Sequence, residues 1–344
     1  MNDTSPPPPP ARSATRRSTS PTPRDGGRLW VLFLGLSILA TGAAAWWIQQ
    51  PTPLPTVKES RDGLFPFRDP QSNRHGYFNA QSRVVIPARF DHADLFRDGR
   101  GLVEMDGRAG YINRSGDWAI TPQFELDLTF ANDIAARPFW GGRAAARQGG
   151  VWGFIDPQGH WLIRPRFKGL DGFQVVGDFH ERRAWFKNGE LYGFIDPEGQ
   201  TVVEPQYQYA NDFGEGLAAV LVKDQWGFID PEGRMRLRPD FDGAGVFTKG
   251  LCPAKRNQQW GYINLRGEWI IEAAFPQARG FSEGLAPVFN GTHWGYLDVQ
   301  GTMVIRPQFE NAYPFDQGLA PVVKNGQSMH INRDGKRVWP IAEK

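Results

Sequence analysis

A five-residue core, aromatic–Gly–aromatic–aliphatic–Asp/Asn, recurs along most of this chain and limits what it can fold into. It reads Trp152-Gly153-Phe154-Ile155-Asp156, Tyr192-Gly193-Phe194-Ile195-Asp196, Trp226-Gly227-Phe228-Ile229-Asp230, Trp260-Gly261-Tyr262-Ile263-Asn264 and Trp294-Gly295-Tyr296-Leu297-Asp298. Weaker copies stand at His75-Gly76-Tyr77-Phe78-Asn79 and Ala109-Gly110-Tyr111-Ile112-Asn113, and a decayed one, Ser328-Met329-His330-Ile331-Asn332, ends the series. The glycine positions (Met329 in the last copy) are 34, 43, 40, 34, 34, 34 and 34 residues apart. A fixed period of this size marks a repeat architecture, whose units are too small to bury their apolar faces alone and share a core with their neighbours.

Each unit has a physical reading. Two residues and a glycine follow the Asp/Asn, as in DPEG at 196–199 and 230–233. Asp first, Pro second and a left-handed Gly last are the preferences of a type I turn closing a three-residue hairpin loop. A β-rich strand returns (Thr201-Val202-Val203, Trp161-Leu162-Ile163), which a proline usually ends, at Pro122, Pro165, Pro205, Pro239 and Pro307. A Phe or Tyr comes two residues after the proline. A second Phe follows six further on, at Phe96, Phe130, Phe173, Phe213, Phe247, Phe281 and Phe315. That stretch reads as a helical turn or an irregular crossover, after which a Gly-Leu-Ala strand (Gly216-Leu217-Ala218, Gly284-Leu285-Ala286) leads to the next Trp-Gly. The 40 Gly, 28 Pro and 45 aromatic residues fit many turns joined by short aromatic strands. The expected fold is all-β: units of about three strands stacked in an open, twisted array, with the deviant terminal units as caps. The alternative is a closed β-propeller, for which 34 residues is short.

With these motifs in view, residues 64–339 resemble tandem copies of the bacterial WG repeat, named for its Trp-Gly pair. The combined pattern W-G-F/Y-I-D/N-x-x-G, P-x-F and F-x-x-G-L-A carries the resemblance, with departures at His75, Ala109, Ser328 and Met329. The resemblance implies a repeat fold more than any activity.

The N-terminal sixth has a different character. Residues 1–28 are rich in Pro, Ser, Thr and Arg, with five Arg against two Asp, and bury too little apolar surface to order. Residues 29–48 (LWVLFLGLSILATGAAAWWI) hold no charge, and as a helix would span about 30 Å, the thickness of a bilayer core. Trp30, Trp46 and Trp47 suit its interfaces, and the preceding arginines place the N-terminus in the cytoplasm. Residues 49–62 read as a Pro-rich stalk, and 63–344 as the repeat domain on the outer, periplasmic or extracellular, side. The alternative is a signal cleaved near Ala43-Ala44-Ala45, giving a secreted protein.

Candidate chemistry is sparse. The net charge of +2 is carried by the tail, so the repeats give no case for nucleic acid. One cysteine, Cys252, and scattered histidines exclude a disulfide framework and a Cys-based metal site. The repeated Asp/Asn reads as a turn cap, not a calcium ligand, because Asn replaces Asp freely. Nucleophile, phosphate and dinucleotide motifs are missing, so no catalytic, metal or cofactor residues are assigned and no enzyme is expected. Shared positions, among them Trp152, Gly153, Gly193, Trp226, Gly227, Trp260, Gly261, Trp294 and Gly295, are read as structural. Positions that differ between units are the candidate binding face: Trp118, Trp161 and Trp269, then Arg164, Arg238 and Arg306, with Trp140 and Trp185 from the irregular stretch 125–190. The leading expectation is a non-enzymatic, membrane-anchored scaffold for a protein or peptide partner in the cell envelope. A glycan or cell-wall binder is the alternative, and a hydrolase comes third.

Overall fold

The computed structural model describes residues 63–125, 136–168 and 175–340. The expected tail, membrane span and stalk lie outside the described residues, as do Phe130 and Phe173. Every regular element described is a β-strand, and none is a helix.

The strands form eight antiparallel sheets. The sheet over 209–241 shows the pattern: Tyr209–Gly214, Leu217–Val222, Gln225–Ile229 and Met235–Phe241, each hydrogen-bonded to the next in chain order. Two-residue turns join the first three strands, with positive φ at both Glu215 and Gly216 and at both Lys223 and Asp224. That is the type I′ geometry, whose twist matches a β-hairpin. The expected DPEG turn joins the third and fourth strands. Gly233 N donates to Asp230 O at 2.8 Å, and Asp230 Oδ1 accepts from the backbone of Glu232 and Arg234 at 3.2 and 2.9 Å. Asn264 Oδ1 accepts in the same way from Arg266 and Glu268, so the cap needs an oxygen and no charge.

Numbered along the chain, the sheets are blades over 64–90, 92–124, 136–168, 176–207, 209–241, 243–275, 277–309 and 311–339. The segment read as a crossover is the first strand of a blade, so a blade has four strands instead of three. Among the described residues this strand is a single bridge in blades 3 and 4, Ala136 to Ala146 and Val176 to Phe186, and the first strand of blade 1 is Leu64–Arg68. A sequence repeat therefore straddles two blades.

The core lies between blades. Phe228 and Phe241 of blade 5 share a cluster with Phe247, Cys252 and Ile263 of blade 6. Tyr77, Ile86 and Phe90 of blade 1 do the same with Phe96, Val103 and Ile112 of blade 2. Eight such clusters exist, where an open row of eight blades would have seven. The eighth joins the ends of the chain: Phe65 and Phe78 of blade 1 pack with Leu319, Val338 and Trp339 of blade 8. The Phe78 and Trp339 rings stack at 4.4 Å, His330 lies 5.1 Å from Phe78, and Ser82 Oγ donates to Val338 O at 2.7 Å. The open array is thus corrected to an eight-bladed β-propeller. The terminal units deviate because they face each other across the closing seam.

The Trp-Gly glycine has a steric cause. Trp226 pairs with Phe241 but Phe228 pairs with Leu237, so the fourth strand carries a bulge beside Gly227. A Cβ there would sit 2.8 Å from Leu237 O, and at Gly295 2.6 Å from Ile305 O. Met329 is tolerated because its fourth strand, Arg337–Trp339, is only three residues long and its pairing begins at His330, one residue past Met329. Gly295→Ala should therefore lower stability by about 1–3 kcal/mol, read as a fall in Tm.

His330 occupies the seam position held elsewhere by Tyr77, Phe154 or Phe228, and burial pushes its pKa down to about 4. Between pH 6.5 and 4 the unfolded chain takes up a proton there that the fold refuses, so stability drops as pH falls through that window, by about 3 kcal/mol in all. His330→Phe should remove this drop. A Tm measured from pH 8 to pH 4 that fell as steeply in the variant as in the parent would contradict the assignment.

Candidate functional site

The first strands of the blades lie nearest the axis. They meet one another around the ring: Asn211 of blade 5 donates to Ala244 O of blade 6 at 2.9 Å, and Ser282 Oγ of blade 7 donates to Phe315 O of blade 8 at 2.5 Å. Across blade 1, which has no such strand among the described residues, Arg97 of blade 2 pairs with Asp316 of blade 8 at 2.6 Å. On each first strand an Ala or Val and a Phe enter the interblade cores, as Ala210 and Phe213 do. Phe139 and Phe179 take the place expected of Phe130 and Phe173: each meets the ring of the preceding Trp-Gly strand at 4.8 Å, as Phe96 meets Tyr77 at 4.9 Å. Where that ring is a tyrosine, its hydroxyl donates to the next blade's first strand, Tyr262 to Arg279 O and Tyr296 to Tyr313 O, both at 2.8 Å.

Between and just after these anchors the residues vary, and there the ring is lopsided. On one arc Arg97 lies 5.1 Å over the Trp140 ring, Trp140 meets His180 at 4.8 Å, and His180 Nε2 is 3.8 Å from Asp212 Oδ2. One layer in, Arg137 Nη2 reaches the buried Asp178 at 3.2 Å. The opposite arc carries Gly214, Thr248 and Ser282 at the positions of Arg97, Trp140 and His180. Burial raises the Asp212 pKa to about 6. His180 opposes the rise, Asp178 adds to it, and the Trp185 indole lies beside the carboxylate. Asp212 Oδ1 is buried without a hydrogen-bond partner. Perturbed, charge-coupled groups of this kind concentrate at functional sites.

The residues singled out in the sequence divide between this axis and the rim. Trp140 and Trp185 flank the axial cluster. Trp118, Trp161 and Trp269 open the fourth strands of blades 2, 3 and 6 and pack edge-on against Phe90, Phe124 and Phe241 of the preceding blade, at 5.9, 6.1 and 6.2 Å. Arg164, Arg238 and Arg306 are exposed on the fourth strands of blades 3, 5 and 7. The structure does not bring these eight into one patch. Of the repeat positions, Trp152 and Trp294 are buried, while Trp226 and Trp260 are half-buried against interblade clusters. Cys252 is buried, and burial pushes its thiol pKa up, which disfavours the nucleophilic thiolate. Among the described residues no group of His, Cys, Asp and Glu could hold a metal ion. Sequence reasoning missed Arg97, Arg137, Asp178, His180, Asp212 and Asp316. The signal was present in the unlike residues around each second Phe, within the segment read as a crossover.

Asp212 ionises less readily in the fold than in the unfolded chain, so its charge works against folding at high pH. The penalty appears as pH rises from about 4 to about 6. Asp212→Asn should therefore raise stability at pH 8, by up to about 3 kcal/mol, seen as a higher Tm, and converge with the parent near pH 4. Thermal melts at the two pH values check this. A variant less stable at pH 8 would refute it.

No curated protein matches the sequence. Among solved structures the chain is similar to dihydro-heme d1 dehydrogenase NirN (TM-score 0.52, 11% identity, 84% of this chain and 76% of that one). It is also similar to a eukaryotic initiation factor (TM-score 0.50, 11% identity, 80% and 83%) and to virginiamycin B lyase from Staphylococcus aureus (TM-score 0.46, 13% identity, 69% and 92%). Likeness at this identity concerns the fold alone. The repeats themselves match a family model, WG containing repeat, seven times, at residues 76–108, 110–152, 152–192, 192–225, 226–259, 260–291 and 294–327. With well over half its length so matched, the chain belongs to the WG containing repeat family.

Proposed function

We propose that this protein is a non-enzymatic binding scaffold. Residues 29–48 anchor it in the cytoplasmic membrane, and the propeller is presented on the outer side to a protein or peptide partner of the cell envelope. The observation that carries the reading is the lopsided axial cluster, in which Arg97, Trp140, His180 and Asp212 converge from four blades on a scaffold whose other positions repeat. Tryptophan and arginine are the commonest interface hot spots. Guanidinium, imidazole, indole and carboxylate together supply both hydrogen-bond donors and acceptors to a peptide. Anchoring rests on the uncharged span and the arginines before it.

A reporter enzyme active only outside the cytoplasm, fused after residue 60, should be active in cells and remain with the membrane fraction. A photo-crosslinking residue at Trp140 should then capture a discrete envelope partner. That adduct should fall at least tenfold in an Asp212→Asn, Arg97→Ala double variant that still folds. A reporter silent outside the cytoplasm would overturn the anchoring, and an adduct indifferent to the double variant would overturn the axial site.

A further inference from the structure

Three of the blade interfaces carry the same plug. The tryptophan that opens a fourth strand, Trp118, Trp161 or Trp269, lies edge-on against the last Phe of the preceding blade's fourth strand. The residue after that Phe is acidic in all three, Asp91, Glu125 and Asp242. Each of these acids is held within the protein: Asp91 by Arg74, Glu125 by Arg147 and the Gly149 amide, and Asp242 by the Gln258 amide.

The interfaces between blades 4 and 5 (Met235, Gln208) and between blades 6 and 7 (Met303, Pro276) lack both features. The interface between blades 3 and 4 differs from these in setting a small residue, Thr201, in place of the tryptophan and a cation, Lys168, in place of the acid. What remains is a groove of about 520 Å³ floored by Phe167 and Phe186, whose rings meet at 5.8 Å, and flanked by Arg166, Lys168 and Lys187. Among the described residues that line it none is acidic. Arg166 lies 5.0 Å over the Phe167 ring and donates to Gly199 O. Lys187 reaches Glu190, at 3.4 Å, but that carboxylate is largely in solvent. Another groove of similar size, about 580 Å³ between blades 5 and 6, differs in charge: Arg234 and Arg266 are paired with Asp230, Glu232 and Glu268.

We infer that the groove between blades 3 and 4 is a binding site for an aromatic anion, a planar ring bearing a carboxylate, phosphate or sulfonate. The ring would take the space that an indole fills at the three plugged interfaces, against Phe167 and Phe186. The anionic group would meet Lys168, Arg166 and Lys187, where the plugged interfaces have a carboxylate of their own. Neither half of such a ligand suffices, because an apolar floor alone does not select charge and exposed cations alone bind an anion weakly. The site depends neither on the membrane span nor on the axial cluster.

The test is calorimetric titration of the full chain with 1-naphthyl phosphate, with inorganic phosphate and 1-naphthol as the two halves. Saturable binding of 1-naphthyl phosphate at least tenfold tighter than either half is expected. Thr201→Trp restores the plug and Lys168→Glu restores the acid. Each should weaken binding at least tenfold while leaving Tm equal to or above the parent's for Thr201→Trp, and within a few degrees for Lys168→Glu. Absence of saturable binding, or binding unchanged in a folded Thr201→Trp variant, would overturn the inference. If Thr201→Trp fails to fold, Lys168→Glu alone decides in the same way.

Discussion

A blade in this protein has no inside of its own. Its two faces are apolar, as in Trp294–Asp298, where all five residues are buried, and each face is covered only by the neighbouring blade. The aromatic pairs that recur around the ring cross the gap between sheets: Phe194 meets Phe213, Phe228 meets Phe247, and Tyr296 meets Phe315, all near 5 Å. Stability resides in these interfaces, so every blade needs two partners, and a linear stack would leave two apolar faces bare. Closure into a ring removes both. The closing interface uses residues that depart from the repeat, Phe65, Phe78, His330 and Trp339, and it has only three fully buried members, Phe65, Phe78 and Leu319. The joint that completes the ring is its thinnest, and it holds the half-buried His330.

That dependence separates the positions that can vary from those that cannot. The glycine beneath the bulge, the turn oxygen and the interblade Phe are each constrained by an atom of another strand or blade. The arginines add cross-links between blades: Arg143 donates to Pro197 O at 2.6 Å and Arg183 to Pro231 O at 3.0 Å, each tying one blade to the next blade's turn. Residues between these constraints touch mainly the axis or the solvent, and there the units diverge. Divergence on a repeating frame places unlike chemistry at equivalent points of a circle, which is how a ring built of one module acquires a direction.

Much of this was legible in the sequence because it is local. The 34-residue period and the Asp/Asn-capped turn are written in one repeat, and the structure has them; the proline read as ending the return strand instead lies within it, as Pro239 does in Met235–Phe241. Three features were not legible because each depends on pairing or packing outside the motif that was read. The first strand reads as a crossover because Gly243–Ala244 and Gln277–Ala278 are two residues long and show no alternation; only their pairing with Cys252–Arg256 and Leu285–Phe289 of the same blade makes them strands. Phe139 and Phe179 were missed because the longer units move the anchor away from the expected spacing, and only their contacts with Tyr111 and Phe154 identify them. Closure was hidden because the residues that make it sit in the most decayed copies, where pattern matching is weakest.

The rim tryptophans show how a feature variable in sequence can still be structural. Trp118, Trp161 and Trp269 alternate with Thr and Met along the chain, which reads as a binding face. In the fold each meets a Phe of the preceding blade; Trp161 and Trp269 are half-buried there, while Trp118 stays 37% exposed. Such a plug excludes water from an interblade core, so losing it leaves either a groove or a need for some other filler. At blades 3 and 4 a larger neighbour, Phe186, stands where the plugged interfaces have Val103, Ala146 and Ala254, and it recovers part of the lost cover. It does not refill the space, because a ring projecting from the second strand enters the core from the axis side whereas the indole enters from the rim. A repeat protein can therefore gain a pocket by omitting one of its standard parts, and the change in charge at Lys168 beside the omission sets what that pocket attracts.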